Sequence, residues 1–145
     1  MIHGTFLIVG SILLVESDRV SAEQWAGALR GWGHEVVLTD RTADVLPLIR
    51  EGGIDVVIVD APSPRTGIVD LARAIEAIPD APPIVLISGS PDAPEISARA
   101  GVAAFLPNPC EPAELVAAVS RILGRVRPVL VVADDPSGSR PNTFD

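Results

Sequence analysis

Five short apolar runs, each separated from the next by a stretch with helical spacing, constrain this chain more than any other feature. The runs are Ile12 to Val15, Glu35 to Leu38, Ile54 to Val59, Ile84 to Ile87 and Val102 to Leu106. They are rich in β-branched residues and largely apolar throughout, which suits strands of a parallel sheet covered on both faces. Between them the apolar period lengthens to that of a helix. Trp25, Ala28, Leu29 and Trp32 fall at i, i+3, i+4 and i+7 behind a capping-box-like Ser21-Ala-Glu-Gln24. Ile68, Leu71, Ala72 and Ile75 repeat the spacing, and so do Leu115, Ala118, Val119 and Ile122, with Pro112 near the start and Gly124 at the end. Two further helices are marked by proline. Pro47 predicts a helix that begins near Asp44 or kinks. Pro94 fits a helix of about two turns with Asp92 as N-cap and Glu95 closing a capping box.

A strand–helix alternation repeated five times, with right-handed crossovers, predicts an α/β fold: an open, doubly wound parallel sheet in three α/β/α layers. The flavodoxin-like strand order 2-1-3-4-5 is the expected arrangement. In such sheets the ligand crevice lies beyond the carboxyl ends of the strands, at the switch point between strands one and three. That rule selects Glu16, Ser17 and Asp18 after strand one and Asp60 after strand three. It adds Ser88-Gly-Ser90 after strand four and Asn108-Pro109 after strand five.

Composition narrows the function classes. The 145 residues suffice for one ordinary domain, and 3% aromatic content means a core of Ile, Val, Leu and Ala. A net charge of −8 argues against nucleic acid or an anionic membrane as direct partner. All eleven basic residues are Arg; without lysine, Walker-type phosphate binding and Schiff-base chemistry are excluded. The lone Cys110 cannot form an internal disulfide, which fits a reducing compartment. His3 and His34 have no spacing that makes either a base for that thiol, and no Cys/His cluster suggests zinc. Gly31-Trp-Gly33 lacks a third glycine and follows a helix, so it is no dinucleotide fingerprint. The apolar start, Met1 to Val15, lacks a basic n-region and a cleavage site, and is shorter than the roughly 20 residues of a membrane span. It is therefore predicted to be a short leader and a buried strand, in a cytoplasmic protein.

The sequence resembles the receiver domains of bacterial two-component response regulators from about Ser11 to Gly124. The resemblance rests on Ile12-Leu-Leu-Val-Glu-Ser-Asp18, Gly33-His-Glu-Val36, Ile54-Asp-Val-Val-Ile-Val-Asp60 with Pro64 following, Ile84-Val-Leu-Ile-Ser88-Gly89, and Phe105-Leu-Pro-Asn-Pro109 before Glu111-Pro-Ala-Glu-Leu115. It implies a phosphorelay signalling domain, not an enzyme. In the family, two acids after strand one and an aspartate after strand three hold Mg²⁺, which takes mostly carboxylate and water oxygens. That aspartate accepts a phosphoryl group from a histidine kinase; a lysine pairs with it, and a hydroxyl and an aromatic residue report the event.

Carried over by position, Asp60 is the phospho-acceptor, Glu16 the first acid, Ser88 the switch hydroxyl and Phe105 the switch aromatic. Ser17 stands where the family has its second acid, Asn108 where it has lysine, and Pro62 where a backbone carbonyl completes the metal shell. The loop Ala61 to Gly67 is about one residue shorter than the common pattern, and Asn108-Pro109 is expected to be cis if the family loop is retained. Each lost charge-assisted contact is worth roughly 1.5–3 kcal/mol, so two losses slow transfer by orders of magnitude. The residues also have plainer readings. Asp60 can be an acid facing water, Glu16 and Asp18 helix N-terminal acids, Ser88 a loop cap, Phe105 core, and Cys110 a packing thiol.

The expected organisation is a leader or first-strand extension over 1–10, a receiver-like domain over 11–125 and a tail over 126–145. Pro128 to Pro136 itself looks like the first strand and acidic turn of a second receiver; the plainer reading is an extra strand or apolar patch with a disordered end. The favoured function is a degenerate receiver, or pseudo-receiver, acting by protein–protein contact with a kinase or output partner. Its expected surface is the face of the fourth helix, fifth strand and fifth helix, which the family uses for homodimers and outputs. The alternative is an active receiver phosphorylated on Asp60 with Mg²⁺. A flavin- or nucleotide-binding α/β protein is disfavoured, because no Gly- or Ser/Thr-rich loop follows strand one.

Overall fold

Side-chain alternation along five strands divides the core in two, and the helices sort themselves onto the two sides. The computed structural model describes residues 8–126; the leader before Ile8 and the second-receiver motif from Pro128 onward lie outside the described residues. The elements follow in order: β1 (Ser11–Val15), α1 (Arg19–Gly31), β2 (Glu35–Thr39), a 3₁₀ turn (Thr42–Asp44), α2 (Val45–Glu51), β3 (Val56–Asp60), α3 (Ile68–Glu76), β4 (Ile84–Ser88), α4 (Ala93–Ala100), β5 (Ala104–Pro107) and α5 (Pro112–Val126). All strand pairs are parallel and the sheet order is β2-β1-β3-β4-β5, the predicted topology.

Ile12, Leu14, Val56, Ile58, Val85 and Ile87 point to one face, where they meet Trp25, Ala26 and Leu29 of α1 and Leu115, Val119 and Ile122 of α5. Leu13, Val15, Val57, Val59 and Leu86 point to the other, against Val45 and Ile49 of α2, Ile68, Ala72 and Ile75 of α3, and Ile96 of α4. Period two in the strands and period 3.6 in the helices thus produce a covered sheet with two dry layers. The central strands β1, β3 and β4 are buried on both faces, whereas the edge strand β2 leaves Val37 and Leu38 about two-fifths exposed.

Several local expectations shift. The α1 cap is Asp18 and not the Ser21 box: the Asp18 carboxylate accepts from the Ser21 N–H at 3.0 Å and from its hydroxyl at 2.7 Å. The buried stripe is consequently Ala22, Trp25, Ala26 and Leu29, while Trp32 falls past the helix end and is 46% exposed. Pro47 sits in the first turn of a helix that starts after Asp44, where its missing N–H costs nothing. Asp92 is the N-cap of α4 by position, yet its carboxylate makes no cap bond and is turned toward Arg65 at 2.7 Å. Gly124 does not end α5, which continues to Val126.

At the amino ends of the strands a polar knot fixes the sheet entry. The Gly10 N–H donates to Nδ1 of buried His34 (3.1 Å), and the Ser11 N–H donates to Oδ2 of Asp55 (2.8 Å). This bond holds His34 through Nδ1 at the end opposite the crevice, while its Nε2 is buried with no hydrogen-bond partner.

Candidate functional site

Register alone brings the two crevice acids together. β1 and β3 pair in parallel as far as Val15 opposite Val59, so the next rung sets Glu16 beside Asp60. Both share the alternation phase of Leu14 and Ile58 and leave the sheet on the side of α1 and α5. Adjacent strands lie about 4.8 Å apart, which brings two carboxyl groups on one rung within touching distance. The backbone is held there by ladder bonds: the Glu16 N–H donates to the Thr39 carbonyl at 3.0 Å, and the Ala61 N–H to the Ile87 carbonyl at 2.9 Å.

Glu16 is 4% exposed, and neither of its carboxyl oxygens has a hydrogen-bond partner; Oδ1 of half-buried Asp60 is likewise unpartnered. Burial, then contact with the Asp60 carboxylate and its charge, push the Glu16 carboxyl up to about 8. The Asp18 and Ser17 N–H groups face it and oppose that rise, but neither closes a hydrogen bond of good geometry. Glu16 therefore keeps its proton at neutral pH when no cation is near.

The remaining candidates separate into two groups. Ser17 is exposed, and Asp18 is engaged as the α1 cap, so the helix-acid reading holds for Asp18. Pro62 lies exposed two residues past Asp60. Ser88 is 1% exposed and shares the phase of Leu86, on the side of the sheet opposite the acids. Its Oγ accepts from the Ser90 N–H at 3.2 Å, a loop-capping bond, and the Ser90 Oγ accepts in turn from the Asp92 N–H at 3.3 Å. Phe105 pairs in register with Leu86 and packs half-buried into the same layer as Ser88, near Ile96 of α4. Asn108 is exposed, its N–H donates to the Ser88 carbonyl at 3.1 Å, and the Asn108-Pro109 bond is cis.

The loops after β4 and β5 nearly touch: a Cβ on Gly89 would stand 2.9 Å from the Asn108 carbonyl oxygen. Half-buried Cys110 packs against the α1/α5 layer; burial, with the charges of Glu114, Asp60 and Glu111, pushes its thiol up and leaves it a poor nucleophile. The sequence offered no signal for the Arg65–Asp92 pair, which joins the loop after Asp60 to the start of α4 across 27 residues.

The buried, unpartnered oxygens of Glu16 and Asp60 suit a hard divalent cation in kind. They do not suit it in number, since among the described residues no group of three His, Cys, Asp or Glu converges. Water, the Pro62 carbonyl and the Ser17 hydroxyl would have to supply the rest of a six-oxygen shell. Among the described residues no helix is long and apolar enough to cross a membrane.

Comparison with known proteins matches residues 12–120 to the response regulator receiver domain. The chain is 29% identical over 116 residues to the DNA-binding response regulator MtrA of Mycobacterium tuberculosis, covering 79% of this chain and 50% of that one. It is 32% identical over 99 residues to a response regulator receiver protein of Anaeromyxobacter, covering 67% and 42%. The chain thus spans about half the length, or less, of the curated relatives it matches. A crystal structure of a response regulator from Chloroflexus aurantiacus superposes with a TM-score of 0.72 at 30% identity, covering 80% of this chain and 98% of that one.

Proposed function

Because the chain belongs to the response regulator receiver domain family of two-component signalling, we propose that it is a degenerate receiver that signals by protein–protein contact and not by taking a phosphoryl group on Asp60. Receiver domains of this family are signalling modules that work with histidine kinases and output domains. The observation that carries the reading is the charge balance of the crevice. Glu16 and Asp60 converge with no third metal-binding side chain among the described residues, Ser17 is neutral, and Asn108 stands where a cation would pair with the phosphoryl oxygens. Phosphoryl transfer is mostly positioning and charge stabilisation, so the missing carboxylate and the missing cation act on the step itself.

In this reading residues 11–125 carry the contact function inside the cytoplasm. The partner is a kinase or output protein, and the face of α4, β5 and α5 serves a homodimer. No nucleic acid or membrane is engaged by this domain, in a chain whose net charge is −8. A second reading, an active receiver, is favoured by the unpartnered oxygens of Glu16 and Asp60. Mg²⁺ bound there would neutralise charge; Glu16, Asp60 and the Pro62 carbonyl would hold it, with Ser17 a weak fourth donor. Asn108 would donate a hydrogen bond to the phosphoryl group, and Ser88 and Phe105 would rearrange.

One experiment separates the two. The protein is incubated with Mg²⁺ and acetyl phosphate or beryllofluoride, and intact mass and amide shifts near Asp60, Ser88 and Phe105 are recorded. The contact module shows no phosphoryl mass increment and no shift beyond that of Mg²⁺ alone. An increment that disappears in Asp60→Asn establishes the active receiver instead.

A further inference from the structure

Arginine is this chain's only cationic side chain apart from histidine, and four of the described arginines are tied into the fold. Arg19 pairs with Glu23, Arg41 with Asp44 and Arg65 with Asp92, while Arg30 donates to the Val36 carbonyl at 3.0 Å. Arg50 and Arg121 stand exposed and apart, whereas Arg73 on α3 and Arg99 on α4 line one seam. Both are exposed, and neither makes a hydrogen bond or ion pair among the described residues, although Asp70, Glu76 and Glu95 stand at helical spacings from them.

These two arginines flank the same seam. Two adjoining hollows run along the seam between α3 and α4, and Arg73 and Arg99 line both. The hollow nearer the crevice is completed by Arg65 over Val69 and Ile96, with Asp70 among its walls. The other ends at Ala77, Ala100 and Gly101, with Glu76 beside them, and these small residues leave room for a backbone to approach closely. The nine residues of α3 run about 13 Å, the span of roughly four residues of extended chain. A guanidinium fork matches a carboxylate in bidentate geometry, and a free fork is weakly hydrated and inexpensive to desolvate.

We propose that the α3–α4 groove is a docking surface for a short, extended, acidic segment of a partner protein, gripped by Arg73 and Arg99. This rests on the contact-module reading and names a surface for it distinct from the α4–β5–α5 face. Charge complementarity selects the occupant: in a chain of net charge −8, the lining of this seam holds three arginines against Asp70 and Glu76, and Arg73 and Arg99 have no partner among the described residues. The Arg65–Asp92 pair closes its upper end, so an incoming carboxylate there competes directly with Asp92 for Arg65, in the loop that follows Asp60. Asp92 is joined through Ser90 to Ser88, which connects the groove to the hydroxyl at the end of β4.

The test uses the full chain and a fluorescein-labelled hexaglutamate peptide at low salt. Saturable anisotropy is expected, with amide shifts confined to α3, α4 and the loop carrying Arg65, and with affinity that falls as salt rises. The double variant Arg73→Ala/Arg99→Ala should bind at least ~tenfold more weakly, two charge-assisted contacts being removed. Arg50→Ala/Arg121→Ala, which removes two exposed arginines elsewhere, should bind as wild type. Absence of saturable binding, or equal binding by the Arg73/Arg99 variant, overturns the assignment. Displacement of the peptide by inorganic phosphate at matched ionic strength would overturn the carboxylate preference. A failed peptide titration with Asp60 still refusing phosphate removes the groove alone; a phosphoryl increment on Asp60 removes the contact-module reading whichever way the titration goes.

Discussion

Glu16 and Asp60 occupy the rung immediately beyond Val15 and Val59 in the β1–β3 ladder, and both retain buried carboxyl oxygens with no hydrogen-bond partner. The sheet that makes the fold stable also presses two acids together at its mouth. A buried polar group without a partner costs of the order of 1–3 kcal/mol, so this pair opposes folding. A shared proton is one way to relieve it, and a bound cation is another.

The shared proton gives stability a direction in pH. The Glu16 carboxyl titrates at about 8 in the folded chain against an ordinary 4.5, so between those values the native state holds a proton that the unfolded chain has lost. Its contribution is complete below pH 4.5, declines as pH rises and is gone above about 8, on the order of 5 kcal/mol in all. Urea denaturation from pH 5 to 9 should show this decline, and Glu16→Gln, which cannot ionise, should flatten it and be the more stable protein at pH 8. A decline of equal slope in Glu16→Gln would place its source elsewhere.

His34 slopes the other way. Burial lowers its titration below the ordinary 6.5, and its Nδ1 accepts from the Gly10 N–H, which requires an unprotonated nitrogen. The unfolded chain therefore takes up the proton first, and the His34 contribution is present above pH 6.5 and lost as pH falls. With Glu16 gaining and His34 losing over the same acidic range, wild-type stability should rise from pH 8 to about 6.5 and then level. Removing the imidazole in His34→Gln should let it rise further on acidification, at a cost of about 1–3 kcal/mol near pH 7 from lost packing and an orphaned Gly10 N–H. Stability that still levels in His34→Gln would contradict this.

Gly89 tests how tightly the loops around the crevice are set. A methyl group there would meet the Asn108 carbonyl oxygen at 2.9 Å, and that atom is backbone, so the loop after β5 has to move. Gly89→Ala should cost about 1–3 kcal/mol and shift the amide resonance of Asn108, whose N–H bonds the Ser88 carbonyl. Unchanged stability and an unmoved Asn108 resonance would mean the two loops yield freely.

Topology and the composition of the crevice were legible in the sequence because each strand carries its own period and each crevice residue directly follows a strand. The α1 cap was misplaced by three residues because Ser21 and Asp18 both suit a helix start, and only the chain path shows which carboxylate reaches the Ser21 N–H. Asp92 looked like a cap for the same local reason, but Arg65 competes for it from 27 residues away, beyond any spacing rule. Strand pairing explains the closeness of Glu16 and Asp60, yet the upward push on Glu16 depends on its burial in the packed fold, which no local pattern reports. The Arg73–Arg99 groove was invisible because it joins two helices whose shared face appears only once both lie on the sheet.

Restoring charge should restore chemistry, and two exposed positions allow it without disturbing the core. Ser17 and Asn108 both face solvent, and the Asn108 N–H that bonds Ser88 belongs to the backbone, so neither side chain is needed for the fold. Ser17→Asp adds a third carboxylate beside Glu16 and Asp60, which moves the donor set toward the oxygen-rich shell Mg²⁺ requires and lets the metal displace the Glu16 proton. Asn108→Lys supplies a cation at the mouth of β5. Each contact is worth roughly 1.5–3 kcal/mol when charge-assisted, equivalent to tenfold to more than a hundredfold in rate. The double variant with Mg²⁺ and acetyl phosphate should therefore gain a phosphoryl mass increment that wild type lacks, and Asp60→Asn in that background should abolish it. The single variants should fall between, with Ser17→Asp alone raising Mg²⁺-dependent stabilisation in thermal melts. A wild-type protein labelled as fast as the double variant would show that neither charge was missing in the sense that matters.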